Sequence, residues 1–386
     1  MKPLPRTVWA LGATSLFMDL SSELVHSLLP VFMTAVLGAS MLAVGIVEGI
    51  AEATASIMKL FSGALSDRLG RRKPLVVLGY GLSALSKPLF PLAGTVALVL
   101  GARFIDRVGK GIRGAPRDAL IADVTPAGQR GAAYGLRQAL DTVGAVLGPL
   151  AAIGLMLLLA SDVRAVLWLA VIPAVLSVVV LIVFVREPDG KTPASSPVSF
   201  QSISSLGARY WAIVALGAVL TLARFSEAFL ILRAQDLGMA LALVPVTLVV
   251  MNIAYTAIAY PAGVLADRGH RQALLLWGLL ALIASDLVIA ASGRFAGLFL
   301  GIVLWGAHMG LTQGLLSALV ADAAPSQLRG TAFGVFHLVS GIALLAASIL
   351  AGWLWSAFGA AATFYAGAAF TAVALAGLIT VMNRRR

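Results

Sequence analysis

Seven charged residues crowd into sixteen positions of an otherwise apolar stretch: Arg103, Asp106, Arg107, Lys110, Arg113, Arg117 and Asp118. The first four fall at i, i+3, i+4 and i+7, which places them on one face of a helix. Charge at the depth of a bilayer is costly and turns toward a bundle interior or an aqueous cavity. Five basic residues against two acidic ones leave three net positive charges on this segment. Such a face can hold an anionic or carboxylate-bearing solute, or it can set cations beside carboxylates and so tune their protonation. Arg103, Arg107 and Lys110 are the substrate-binding candidates. Arg113, Arg117 and Asp118, nearer the end of the segment, read as a gate or interfacial cluster.

Carboxylates that could titrate stand on other segments. Asp19, Glu23 and His26 are spaced i, i+4 and i+7, followed by Pro30. A carboxylate in a low-dielectric cavity can take up and release a proton, so Glu23 and Asp19 are the leading proton-coupling candidates, with His26 among the substrate ligands. A static ion pair with the charged face is the competing reading. Arg137, Gln138 and Asp141 form a third group; Arg137 and Asp141 can pair at i, i+4. Asp141 is the third coupling candidate and Gln138 a substrate ligand. Glu48, Glu52 and Lys59 share one segment, with Glu48 toward the outer rim. The second half of the chain is poorer in charge, with Arg224, Glu227 and Asp286 inside its apolar segments. Its polar candidates are Asn252, Tyr255, Tyr260, His308, Gln313 and His337, of which Asn252 and Tyr255 are carried as substrate ligands. A hydrolytic triad, a metal-binding His pair and a Walker loop are all missing from the sequence. An enzyme, a resident metal and a cofactor are therefore not expected.

These groups need long apolar helices to position them. Hydrophobic residues make up 60% of the 386, and charged residues only 12%, against about 25% in a typical soluble protein. Hydropathy, punctuated by Gly, Pro and charge, predicts twelve membrane spans, near 7–35, 41–63, 74–93, 95–121, 131–158, 165–185, 210–232, 241–263, 272–291, 296–321, 331–352 and 360–382. Continuous apolar stretches of this length span a bilayer as helices, since they lack the alternation of barrel strands. Lys and Arg sort onto one set of connectors: Lys2 and Arg6, Arg68 to Lys73, Arg130, Arg186 to Arg209, Arg268 and Arg271, Arg329, and Arg384 to Arg386. The opposite connectors hold Arg164, Arg233 and Arg294. That asymmetry puts both termini in the cytoplasm. It also accounts for the net charge of +11 without nucleic acid. Cysteine is absent, which excludes disulfides. The first apolar segment carries Asp19, Glu23 and His26 and no small-residue exit, so it is expected to remain as a helix.

The chain is also duplicated. Ala122-Asp123-x-x-Pro126-x-x-x-Arg130-Gly131 recurs as Ala321-Asp322-x-x-Pro325-x-x-x-Arg329-Gly330, an offset of 322 − 123 = 199. A turn reading Gly63-Ala64-Leu65-Ser66-Asp67-Arg68-Leu69-Gly70-Arg71-Arg72 recurs at Gly263 to Arg271 with Asp267 and Arg268, an offset of 267 − 67 = 200. Two motifs at nearly one spacing indicate a parallel repeat of a six-span unit. The Pro-, Gly- and Ser-rich stretch between them reads as a linker. The expected parts are an N-terminal six-helix bundle over 1–185, a cytoplasmic linker over 186–209 and a C-terminal bundle over 210–386.

The G-x-x-x-D-R-x-G-R-R turn, the D-x-x-P-x-x-x-R-G turn and their echoes resemble the major facilitator superfamily of secondary transporters over the whole chain. Gly135-x8-Gly144-x3-Gly148-Pro149 is similar to the antiporter signature of that superfamily's proton-coupled drug and metabolite exporters, although its trailing Gly pair is Ala152-Ile153 here. The resemblance implies an all-α integral membrane fold of twelve transmembrane helices in two pseudo-symmetric six-helix bundles. It implies a cytoplasmic gate built from Gly63, Asp67, Arg68, Gly70 and Arg71 with Asp123 and Arg130, and a degenerate second copy at Asp267 and Arg268. It implies alternating access, with Arg103 linked to substrate or proton coupling. The expected function is proton-coupled export of a small organic solute by a monomer in lipid, multi-pass in the cell membrane. Proton-coupled import of an anionic solute or chelate is the alternative, and a membrane receptor that does not transport is an alternative of another class.

Overall fold

A computed structural model describes residues 4–69, 71–187, 206–324 and 328–383. Among them the chain is helices joined by short turns, with no strand. Twelve long helical segments follow in order: α1 Arg6–Val31, α2 Met41–Leu69, α3 Lys73–Leu92, α4 Val96–Val124, α5 Arg130–Leu158, α6 Val163–Phe184, α7 Ala208–Ala223 with Ala228–Asp236, α8 Val246–Leu265, α9 Arg271–Ala291, α10 Phe295–Ala323, α11 Arg329–Phe358 and α12 Ala360–Asn383. Helix closes every backbone hydrogen bond within the segment, which hydrocarbon demands. Eleven of them are long and apolar enough to cross a membrane. The exception is α4, which equals α5 in length but carries the seven clustered charges.

Local chemistry sets the ends. The Thr95 hydroxyl accepts from the Leu98 amide to start α4, and the Asp162 carboxylate accepts from the Ala165 amide to start α6, each satisfying a donor the first turn leaves open. The chain reverses between α11 and α12 at Gly359, whose φ of 87° suits glycine. The hydrophilic stretch Gly63 to Arg72 is a turn only at its end. Helix α2 runs on to Leu69, so Gly63, Asp67 and Arg68 lie on the helix, and α3 starts at Lys73. In the second copy α8 passes into a π-helical turn, Ala266–His270, with Gly269 at φ 94°. The span expected to end at 63 therefore outlasts its apolar run by almost two turns, because nothing helix-breaking intervenes before Gly70. The side chains of Gly63, Asp67, Arg68 and Asp267, residue 70, and the linker over 188–205 lie outside the described residues.

The helices gather into two compact units. One comprises the described residues of Met1–Phe32 and Ile50–Val198, the other those of Met33–Gly49 and Ser199–Arg386. In the first, α1 packs on α5 and α6, and α3 packs on α4 and α6. In the second, α7 packs on α11 and α12, and α9 packs on α10 and α12. The same neighbour pairs recur, and the repeat reaches single residues. A Cβ on Gly111 of α4 would lie 2.9 Å from the Ala55 carbonyl oxygen and 3.3 Å from the Lys59 amide of α2. A Cβ on Gly310 of α10 would lie 3.0 Å from the Tyr255 carbonyl oxygen and 3.1 Å from the Ala259 amide of α8. The offsets are 310 − 111 = 199 and 255 − 55 = 259 − 59 = 200, those of the sequence motifs. Lipid is as apolar as leucine, so close approach at small residues holds such helices together.

The start of α2, Met41–Gly49, belongs to the second unit. A Cβ on Gly45 would meet the Ser348 carbonyl oxygen of α11, and one on Gly352 would stand 2.5 Å from the Met41 carbonyl oxygen. The Leu42 amide donates to the Ser356 hydroxyl at 3.3 Å. Glu48 is buried there at 1% exposure.

Candidate functional site

The charged face of α4 is buried among the helices of the first unit. Arg103, Asp106, Arg107 and Arg113 are 1–4% exposed. Tight packing puts them there: a Cβ on Gly109 would lie 2.5 Å from the Gly79 carbonyl oxygen, so the α3 and α4 backbones all but touch. Side chains of α3 then reach the α4 charges. Lys87 Nζ is 3.0 Å from Asp106 Oδ1 and donates to the Ser22 hydroxyl of α1 at 3.0 Å. Arg113 donates to the Ser83 hydroxyl at 2.6 Å and stacks over the Tyr80 ring at 4.5 Å. The other cations reach α1 and α2. Arg103 meets His26 Nδ1 at 2.9 Å, Arg107 pairs with Glu52 of α2 at 3.1 Å, and Arg117 donates to Ser15 at 2.9 Å. A buried charge is tolerated when it is paired and hydrogen-bonded, and this lane is held together on that basis.

Lys87 escaped the sequence reading. Its signal was a lysine inside the span expected at 74–93, where only lipid-compatible side chains belong. Serines 15, 22 and 83 were missed for a different reason: a hydroxyl on an apolar helix has no periodicity that marks it.

The coupling candidates lie on the neighbouring face. Gly144 and Gly148 of α5 form a cradle for α1. A Cβ on Gly144 would stand 2.8 Å from the Leu16 carbonyl oxygen and 3.0 Å from Asp19 Cβ; one on Gly148, 2.7 Å from Glu23 Cβ and 2.9 Å from the Leu24 amide. The two glycines thus seat the two half-buried carboxylates side by side. Pro149 is buried next to them and α5 stays continuous through it, whereas Gly135 faces open space. Asp19 lies within electrostatic range of Asp141, Lys110, Arg113 and Arg117. Asp141 is 3.2 Å from Arg137, which is also 3.4 Å from Asp118 and donates to Gln138 Oε1 at 2.7 Å. Lys59 and Lys110, on facing helices, make no ion pair within 4.0 Å among the described residues.

At the motif turn Asp123 is taken by Arg72, Nε to Oδ2 2.8 Å, rather than by Arg71, which is exposed. Arg72 also donates to the Ser66 hydroxyl at 2.8 Å. Glu187 accepts from the backbone amides of Arg72 and Lys73, so the stretch after α6 ties down the start of α3. Arg130 is exposed at the start of α5, and Arg268 is exposed in the second copy. Asn252 and Tyr255 are half-buried on α8, in the second unit.

The comparisons with known proteins agree on what kind of molecule this is. The family model described as the Major Facilitator Superfamily matches residues 11–232 and again 208–386. An uncharacterised MFS-type transporter of Methanocaldococcus jannaschii is 33% identical over 361 residues, 92% of this chain and 89% of that protein. The multidrug resistance protein MdtL of Escherichia coli is 24% identical over 305 residues, 77% of this chain and 74% of its own. In fold, the crystal structure of a point mutant of the nucleoside transporter NupG matches with a TM-score of 0.81 at 12% identity, covering 97% of this chain and 99% of that one. A duplicated helical unit with charge buried between its spans, matched twice by one family model, makes this chain a multi-pass membrane transporter of the major facilitator superfamily.

Proposed function

We propose that the chain is a secondary active transporter that exports a small organic solute in exchange for protons. The observation that carries this reading is the seat of Asp19 and Glu23 against Gly144 and Gly148. It joins the helix that is similar to an antiporter signature to the only two carboxylates of α1. The likeness to a multidrug resistance protein favours the same direction. In the cycle, Glu23 or Asp19 accepts a proton on the outer side and releases it to the cytoplasm after the halves rock. Arg103 and His26 meet one turn away from Glu23 and pass the change in charge to the solute site. Gly63, Asp67, Arg68, Arg72 and Asp123 act as the cytoplasmic latch, with both termini on that side, in a monomer embedded in the cell membrane.

A second reading, import of an anionic solute with protons, draws on Lys59 and Lys110. Two facing lysines without a carboxylate of their own would hold an anionic group. Flux of a solute panel into and out of proteoliposomes under an imposed pH gradient separates the two. Solute moving against the proton flow supports export. Accumulation together with inward-moving protons overturns it in favour of import, and absence of flux under every gradient would support a membrane receptor.

A further inference from the structure

One carboxyl in the second unit has no part in the site above. Asp286, on α9, has no exposed surface, and neither of its oxygens has a hydrogen-bond partner among the described residues. Buried Asp106, by contrast, has Lys87. Among the described residues no cation pairs with Asp286. Asp286 faces α12 at Gly367, where a Cβ would lie 2.6 Å from Oδ2 and 3.1 Å from Phe225 Cε1. Helix α12 carries no charged residue, nor does α8. On α10 the nearest titratable group is His308, whose Nδ1 meets the Gly278 carbonyl oxygen about two turns along α9 from Asp286. On α7, Arg224 and Glu227 flank Phe225 and make interactions of their own. Phe225 itself closes the chamber, its ring 5.5 Å from Phe229, 5.3 Å from Trp305 and 5.4 Å from Phe364. Among the described residues no charged side chain pairs with Asp286.

An isolated carboxylate against aromatic rings and a glycine backbone is far costlier than the neutral acid. The seat at Gly367 is also fitted: any side chain there would press on the carboxyl. Beside it α7 is broken at residues 224–227, between its two helical pieces, so one wall of the chamber lacks continuous backbone bonding.

We propose that Asp286 is a second proton carrier of the transport cycle, held as the neutral acid while α7, α9, α10 and α12 are packed around it. When α12 parts from α9, water enters, the O–H bond breaks, the proton leaves to water and the carboxylate remains; repacking requires its return. This inference rests on the proton-coupled reading above.

The test is infrared difference spectroscopy of the full chain in lipid at neutral pH, wild type minus Asp286→Asn. The expected result is a C=O stretch of a protonated carboxyl that Asp286→Asn lacks, that Gly367→Ala shifts, and that moves in D2O as the proton exchanges. Should Asp286→Asn fail to fold, Asp286→Glu must shift the same band. A wild type without the band, or a band that never responds to D2O, overturns the proposal. This readout does not require flux. A responsive band in a protein that no pH gradient drives would sink the proton-coupling reading and, with it, the cycle role of Asp286, while a missing band sinks Asp286 alone.

Discussion

Helices α4 and α10 are the same element twice. Each is 29 residues long, each comes fourth in its half, and each closes on its neighbour at an equivalent glycine, Gly111 or Gly310. Yet α4 carries seven charges in sixteen positions, while the corresponding stretch of α10 carries none. Where α4 has Asp106, paired to Lys87, α10 has the fully buried ring of Trp305 (106 + 199 = 305). Where α4 has Arg107, paired to Glu52, α10 has Gly306, packed on the Met251 carbonyl oxygen at a Cβ distance of 2.5 Å. The difference teaches that this fold does not need charge to pack. Glycine against backbone suffices in both halves, so the ionic lane of the first half serves something other than architecture.

That comparison can be broken at several points. The largest effect is expected from Lys87→Met, which takes from the buried Asp106 its closest cation and leaves Arg107, at 4.0 Å. Removing one partner of a buried pair costs about 3–5 kcal/mol, so thermal melting should show a severe loss. The double variant Lys87→Met with Asp106→Asn should recover most of it, and failure to recover would mean that the pair is architectural after all.

Next in size are the glycines. Gly111→Ala and Gly310→Ala should each destabilise by about 1–3 kcal/mol, as overpacking does, and by similar amounts in melting experiments. A large inequality would contradict the equivalence of the two crossings. Gly148→Ala sharpens the contrast between halves, since its counterpart is already alanine (148 + 199 = 347). The Cβ meets Glu23 Cβ at 2.7 Å, so proton-driven flux should fall at least tenfold, whereas Ala347→Gly should leave flux nearly unchanged. Equal effects would detach the glycine cradle from coupling.

The smallest stability change is expected from Lys110→Gln, within about 0.5 kcal/mol, because among the described residues Lys110 makes no ion pair within 4.0 Å whose loss would strand a charge. Its effect belongs in KM for an anionic solute, and an unchanged KM across a panel of anions would remove Lys110 from the substrate site.

Much of this was legible in the sequence. Twelve spans, the two repeat offsets and the placing of α4 on one charged face all follow from hydropathy and spacing, because lipid forces helix and duplication copies register. The extent of α2 was not, since Ser66-Asp67-Arg68 is polar but breaks no helix, and polarity alone looks like a turn. Nor were the partners. That Asp123 takes Arg72 rather than Arg71 depends on which of two adjacent side chains the turn aims at α4. Lys87 and Asp106 sit nineteen residues apart on two helices, and only the approach at Gly79 and Gly109 brings them together. Asp286 was visible as a lone charge, but its lack of a partner is a property of four helices at once.

In the proposed cycle protons act through the α1 carboxylates seated on α5. Its most direct test is solute flux through proteoliposomes carrying Glu23→Gln, Asp19→Asn or both, driven by a pH gradient and, separately, by solute exchange at equal pH. The account predicts that gradient-driven flux is abolished in the double variant while exchange and solute binding persist. Gradient dependence equal to the wild type would contradict it.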